Sequence, residues 1–129
     1  MRTSENNYNE TSINDFFSTS IWESFKENYT TVNYSDNLVN AIICDMRNQA
    51  EDLGLDAEKL EDCIYATGVY DYDIPMLPCL AEKAKFNNTD VWIIVFNRAN
   101  SWEENNLGHI DIFVIDINTL ETLYWIGCE

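Results

Sequence analysis

The last third of the chain alternates short runs of β-branched and aromatic residues with turn residues. These runs, at residues 91–97, 109–116 and 122–126, are typical of β-strands. Their connections are short enough for antiparallel neighbours, which predicts a three-stranded meander. Such a sheet needs a cover on one face, and the first two thirds of the chain can supply helices for it. The pattern therefore predicts an α+β fold, in which three or four N-terminal and central helices pack on one face of a C-terminal antiparallel β-meander.

Apolar residues recur at helical spacing in the first two thirds of the chain. A first helix is predicted over residues 12–28. A second helix, which has the clearest pattern, should begin after the N-cap Ser35 and stop at Gly54. A third, shorter helix should begin after Asp56 and stop at Gly68. In the last two helices the apolar positions are Val39, Ile42, Ile43, Met46, Ala50, Leu53, Leu60, Cys63 and Ile64.

The remaining segments carry weaker patterns. Residues 1–11 are polar, so we expect a flexible N-terminus followed by a single domain over residues 12–129. Residues 29–34 and 69–74 can each form a short extended stretch. One more short helix is predicted over residues 78–86, because proline is favoured at the first helical position. Its inward residues would be Leu80 and Ala84.

Negative charge is the most unusual property of the composition. The chain has 23 acidic and 7 basic residues, which gives a formal net charge of −16. A charge of this size repels nucleic acid and anionic membranes and attracts basic surfaces. We therefore expect a protein partner with a basic surface, and no direct binding to nucleic acid or membrane. The alternative is that the charge serves solubility alone.

An acidic belt, defined as residues 45–73, carries nine of the acids and two bases. On the two central helices these acids lie mostly opposite the apolar positions, so they should be exposed. Helix neighbours three or four residues apart lie roughly 5–6 Å from one another, which is comparable to the spacing of phosphates along DNA. The alternative is a solvated helix face. The belt residues that we expect to bind a partner are Asp45, Glu51, Asp52, Glu58, Glu61, Asp62, Asp71 and Asp73.

The long connection at residues 98–108 carries a second candidate for partner binding. Trp102 stands directly before Glu103 and Glu104. An exposed tryptophan flanked by charge is a plausible interface anchor. The alternative is that Trp102 folds back over the sheet and covers the core.

Residues with catalytic or metal-binding chemistry are sparse. The single histidine, His109, lies two residues before Asp111 in a predicted strand, so the two side chains should share a face. Asp71 and Asp73 have the same spacing and could hold a hard cation, but no calcium-binding loop surrounds them. The sequence therefore predicts no catalytic residue, no metal and no cofactor.

The cysteines are too far apart in the sequence for a Cys-x-x-Cys pair, and no signal peptide precedes them. We therefore expect reduced thiols in a cytoplasmic protein. The four cysteines are Cys44, Cys63, Cys79 and Cys128.

Small, acidic cytosolic proteins that are rich in aromatic residues and lack catalytic motifs are typical of two non-enzymatic groups. One comprises phage or mobile-element inhibitors of host defence nucleases, including anti-CRISPR and anti-restriction proteins. The other comprises bacterial immunity proteins and antitoxins that neutralise a basic toxin. We favour the first: an inhibitor in the host cytoplasm that blocks the nucleic-acid-binding site of a nuclease complex by charge mimicry or steric occlusion. A small enzyme that uses His109 and Asp111, and an oligomer formed through a sheet edge, are the remaining alternatives.

Overall fold

A five-stranded mixed sheet organises residues 2–16, 35–71, 76–99 and 107–127, which are the residues that the computed structural model describes. The strands follow one another in space in the order of the chain. From the second strand to the fifth they are antiparallel neighbours, whereas the first strand is parallel to the second. The predicted C-terminal meander is thus confirmed, with two further strands beside it. The strands are β1 (Arg2–Tyr8), β2 (Met76–Phe86), β3 (Thr89–Ala99), β4 (Leu107–Asp116) and β5 (Thr122–Gly127).

Short turns set the register of the meander. Asn87 and Asn88 connect β2 to β3, and both adopt the left-handed backbone conformation, with φ of 48° and 69°. A two-residue loop of this kind matches the twist of a hairpin, and asparagine tolerates it better than most residues do. Between β4 and β5, the Asp116 Oδ1 atom accepts hydrogen bonds from the backbone N–H groups of Asn118 and Thr119. The turn chemistry that the sequence places between these strands therefore fixes which residues face each other.

Three helices lie in the described part of the chain. They are α1 (Glu10–Phe16), α2 (Asp36–Asp52) and α3 (Ala57–Ala66). The predicted first helix begins two residues earlier than expected, and its continuation beyond residue 16 lies outside the described residues. No described helix has the combination of length and apolar character that crossing a membrane requires.

Side-chain caps and glycines define the ends of α2 and α3, as predicted. Ser35 Oγ accepts a hydrogen bond from the Leu38 N–H at 3.1 Å, and Asp56 Oδ1 accepts one from the Lys59 N–H at the same distance. Gly54 and Gly68 follow the two helices with φ of 74° and 75°, a conformation that favours glycine and stops a helix. Among the apolar positions predicted for these helices, Ile42 is half-buried and Leu53 is exposed. The others are buried: Val39, Ile43, Met46, Ala50, Leu60, Cys63 and Ile64.

Helices α2 and α3 cover one face of the sheet, which confirms the α+β arrangement. Their buried side chains form one core cluster with the sheet residues Leu77, Ala81, Trp92, Ile94, Phe96 and Ile115. The opposite face is also buried. It forms a second cluster, to which α1 contributes Ile13 and the meander contributes Val91, Ile93, Val95, Ile110, Ile112 and Val114. The sheet therefore has an apolar core on each side.

The predicted helix over residues 78–86 is wrong, because this segment belongs to β2. Leu80 and Ala84 are buried as expected, but they face the second core cluster, and Ala81 between them faces the first. Residues four apart share a face in a helix and also in a strand, so their spacing does not separate the two structures. Residues 69–71 form a 3₁₀ turn instead of the start of a strand. Residues 29–34 and 72–75 lie outside the described part.

The N-terminal segment forms β1, an ordered strand where the sequence predicted a flexible end. Its anchor is Tyr8, which is buried and donates a hydrogen bond of 2.6 Å from its hydroxyl to Glu82 Oε2 on β2. Ser4 Oγ donates to the same carboxylate oxygen at 3.2 Å. Glu82 is itself buried. A buried carboxylate needs donors, and β1 supplies two of them, so this polar strand is held by one carboxylate on its neighbour.

We expect Tyr8→Phe to lower the free energy of unfolding by about 1–3 kcal/mol, because it removes a donor from a buried carboxylate. Urea denaturation measures the loss, and hydrogen exchange should show faster exchange of the β1 amides. Tyr124→Phe is the matched control, since the Tyr124 hydroxyl donates to Asn14 Oδ1 at an exposed site; its cost should stay below about 1 kcal/mol. Equal losses in the two variants would contradict the anchoring role of Glu82.

Candidate partner-binding surfaces

The acids of the acidic belt are exposed wherever the structure describes them, with one exception. Glu61 is half-buried. Asp73 of the belt lies outside the described residues, as do Trp102, Glu103 and Glu104 of the long connection. The exposed acids are Asp45, Glu51, Asp52, Asp56, Glu58, Asp62 and Asp71.

The acids of α2 lie in two rows rather than one. Asp45 and Asp52 are seven residues apart, which is about two helical turns, so they lie along one line of the helix surface. Glu51 is six residues from Asp45 and lies about 120° around the helix from it. On α3, Glu58 and Asp62 are one turn apart and share the exposed side. Negative charge is therefore spread over the exposed side of both helices, opposite their buried residues.

A groove between α2 and α3 contains the one ion pair that the belt acids form within the described residues. Arg47 Nη1 of α2 lies 2.6 Å from Glu61 Oε2 of α3. A cavity of about 320 Å³ opens beside this pair, and Glu51 and Tyr65 also line it. An exposed ion pair adds little stability, but it cancels charge locally. The pair thus interrupts the row of acids that a continuous phosphate-like track would need.

A second surface lies at the other end of the helix-covered face, around β5. Arg98 Nε of β3 lies 2.7 Å from Asp111 Oδ2 of β4, and the Asp111 carboxylate is buried. Phe113 of β4 and Trp125 of β5 extend from this pair toward the sheet edge. Together they line a cleft of about 330 Å³, which we call the Trp125 cleft. Its lining is Thr67, Val69, Met76, Arg98, Asp111, Phe113 and Trp125.

The proposed pair of His109 and Asp111 has one described member. His109 lies in β4 opposite Arg98 of β3, and its side chain is outside the described residues. The Asp111 carboxylate, which would have to orient the histidine, is held by the Arg98 guanidinium. The cleft that the enzyme alternative requires is present at Asp111. Its charged lining residues within the described part of the chain, Arg98 and Asp111, form an ion pair with each other.

The thiols at Cys44, Cys63 and Cys79 are free, and Cys128 lies outside the described residues. Burial raises the pKa of Cys63 to about 12, and the neighbouring Asp62 carboxylate adds to the shift. Burial also raises the pKa of Cys79. A thiol that stays protonated is a poor nucleophile and a poor metal ligand. Among the residues that the structure describes, no three His, Cys, Asp or Glu side chains come together as a metal site.

The Trp125 cleft was missed by the sequence reasoning, although β5 carries a signal for it. A strand with one solvated face usually alternates apolar and polar residues. In β5, Leu123 and Trp125 occupy one face while Tyr124 and Ile126 occupy the other, so neither face is polar. The structure leaves Leu123 and Trp125 exposed. The second apolar face of β5 is therefore exposed instead of packed in the core.

The two surfaces differ in chemistry and lie on the same side of the sheet. The acidic belt offers exposed carboxylates, and the Trp125 cleft offers an apolar depression beside β5, the last strand of the described sheet. Comparison of the chain with protein-family models, with curated proteins and with solved structures finds no match.

Proposed function

We propose that this protein is a non-enzymatic acidic inhibitor that binds the basic, nucleic-acid-binding surface of another protein in the cytoplasm and blocks it. The observation that carries the proposal is the exposure of the belt acids on α2 and α3. Residues 35–71 contain nine acids against the two bases Arg47 and Lys59. Because so few bases stand between them, these carboxylates present a negative field to an approaching protein.

The charge acts mainly on the approach of the partner. A net charge of −16 steers a basic surface toward the protein over distances of about a Debye length, roughly 8–10 Å at physiological salt. Complementary charge raises association rates more than it raises final affinity. Binding should therefore weaken as salt increases, and it should compete with nucleic acid for the same basic groove.

The arrangement of the acids supports steric occlusion more than a copy of a phosphate track. The carboxylates are spread over the exposed side of α2 and α3, and the Arg47–Glu61 pair interrupts them in the groove. Carboxylates arranged in this way attract a basic surface, but they do not reproduce the positions of the individual phosphates of DNA. The bulk of the domain then covers the site.

The proposed biological setting is defence against host immunity, by a phage or mobile-element protein of the anti-CRISPR or anti-restriction type. A bacterial immunity protein or antitoxin that neutralises a basic toxin is the second candidate, since it needs the same exposed acids. The identity of the captured protein separates them. A nuclease of a defence complex supports the first, and a toxin supports the second.

Charge reversal at the outer side of α3 tests the proposal. Glu58→Lys combined with Asp62→Lys should reduce affinity for a captured basic protein at least about tenfold, because close opposite charges are replaced by like charges. Glu5→Lys combined with Glu10→Lys is the control, since both residues are exposed and lie outside the belt. Each substitution adds two charges, so both variants change the net charge from −16 to −12.

The measurement is a pull-down from a lysate that contains nuclease and host-defence proteins, followed by binding assays with each captured protein. A partner that the wild type retains, the α3 variant loses and duplex DNA displaces supports the proposal. A partner that both variants bind equally well and that DNA does not displace would contradict it. Capture of no protein with a basic surface would contradict it as well.

A further inference from the structure

Within the described residues, the strand β5 is an exposed sheet edge without charged or proline residues, and its pairing with β4 shifts register at Leu123. It stands last in the sheet order and, within the described residues, pairs on one side with β4. Natural edge strands are commonly protected by lysine, proline or other charged residues. β5 has the sequence Thr-Leu-Tyr-Trp-Ile-Gly and carries none of these. The opposite edge, β1, is a polar strand that includes Arg2 and Glu5, so the two edges differ sharply.

Large apolar side chains are exposed on β5. Trp125 is 55% exposed and Leu123 is 36% exposed, and both lie on the face that carries α2 and α3. The Trp125 ring lies 6.3 Å from the Phe113 ring, measured between centroids. Beside them the Trp125 cleft, of about 330 Å³, has Val69 and Met76 in its apolar lining. Among the residues that the structure describes, the outer side of β5 therefore has no strand partner, and an apolar depression lies next to it.

We propose that β5 is a docking edge for an extended, basic segment of a partner protein. The segment adds to the sheet as a further strand and places an apolar side chain in the Trp125 cleft. In this mode of recognition, backbone hydrogen bonds supply affinity and a pocket for alternate side chains supplies specificity. The inference goes beyond the proposed function, because it assigns a second contact surface that is independent of the carboxylates on α3.

Charge decides what kind of segment fits this edge. Asp116 and the exposed Glu121 precede β5, and the exposed Asp71 ends the 3₁₀ turn whose Val69 lines the cleft. Lysine or arginine residues flanking the apolar anchor would complement these carboxylates. A second copy of this chain would instead bring a net charge of −16 against another −16. The edge therefore favours a basic partner over a homodimer.

A short capped peptide, in which lysine alternates with valine and one central valine is replaced by leucine, tests the inference with the full chain. We expect it to shift the amide signals of β5 and the Trp125 indole signal in an NMR titration. The same peptide with N-methyl groups on alternate residues should bind at least about tenfold more weakly, because it cannot pair along a strand edge. The peptide with glutamate in place of lysine should also bind at least about tenfold more weakly than the lysine peptide.

Variants of the protein locate the site. Trp125→Ala should weaken binding of the lysine peptide at least about tenfold. Leu53→Ala is the matched control, because Leu53 is 50% exposed and lies at the end of α2; it should bind within about twofold of wild type. The variant with Glu58→Lys and Asp62→Lys should also retain most of the binding. Failure of the proposed inhibitor function would therefore leave this result unchanged.

Three outcomes would overturn the inference. One is a peptide that shifts the signals of α2 and α3 while β5 stays unchanged. Another is equal binding of the N-methylated peptide, which would mean that no strand forms. The third is reversible self-association of the free protein in sedimentation equilibrium that Trp125→Ala abolishes, because the edge would then be occupied by a second copy.

Discussion

Trp92→Ala is expected to lower the free energy of unfolding by about 3–5 kcal/mol. Trp92 lies in the middle of β3 and is 1% exposed, on the face that α2 and α3 cover. Replacing its indole by a methyl group leaves a cavity between the sheet and the helices, in addition to the lost burial of apolar surface. Domains of this size are stable by about 5–15 kcal/mol, so this single substitution should remove a large part of the stability.

The measurement is urea denaturation followed by circular dichroism, and Trp125→Ala is the matched control. The Trp125→Ala substitution removes the same side-chain volume from a strand of the same sheet, but the Trp125 side chain is 55% exposed. Its replacement should cost less than about 1 kcal/mol. Similar losses in the two variants would mean that Trp92 is not a central part of the core that the helices form.

Replacement of Arg98 is expected to lower the free energy of unfolding as much as the loss of a large core side chain does. The Arg98 guanidinium pairs with an Asp111 carboxylate whose side chain is 7% exposed. Arg98→Met removes the opposite charge and leaves the carboxylate in a site that water reaches poorly. Breaking a buried pair in this way costs about 3–5 kcal/mol. The deficit should shrink as the pH falls, because protonation of Asp111 removes the charge that Arg98 balances in the wild type.

The double variant with Arg98→Met and Asp111→Leu tests whether the loss of stability in Arg98→Met comes from the charge of Asp111. Replacement of both partners by apolar groups of similar size is often neutral or stabilising. We therefore expect urea denaturation to show the double variant at least about 2 kcal/mol more stable than Arg98→Met alone. An additive loss would show that the two side chains stabilise the fold through separate contacts. Circular dichroism at matched temperatures confirms that each variant is folded.

Local interactions made α2 and α3 predictable from the sequence. Ser35 and Asp56 cap the helices through contacts with residues three positions later, and Gly54 ends α2 where its apolar pattern ends. Because these signals lie within a few residues, they do not depend on the rest of the fold. β2 was misassigned for a non-local reason. A strand with both faces buried loses the alternation that identifies strands, and Leu80 and Ala84 fit a helix equally well.

The surfaces depended on contacts that the sequence does not reveal. Helical periodicity predicted that Asp45, Glu58 and Asp62 would be exposed, and they are. The Arg47–Glu61 pair joins two helices, so it depends on how α2 and α3 pack. The Trp125 cleft depends on the register of β3, β4 and β5, since its lining comes from all three strands. β1 was not predicted because it is a polar strand with one large apolar residue, Tyr8. The Tyr8 hydroxyl donates a hydrogen bond to Glu82, which is 74 positions away in the chain.

The parallel pairing of β1 with β2 also determines when the parts of the fold can form. Tyr8 and Glu82, which join the two strands, are 74 positions apart in the chain, whereas β2 and β3 are joined by a two-residue turn. Hairpins with short loops close before contacts between distant segments. During synthesis at about 5–20 residues per second, β1 waits on the order of 4–15 s for its partner to be made. We therefore expect the β2–β3 hairpin to form before β1 pairs with β2, although β1 is synthesised first.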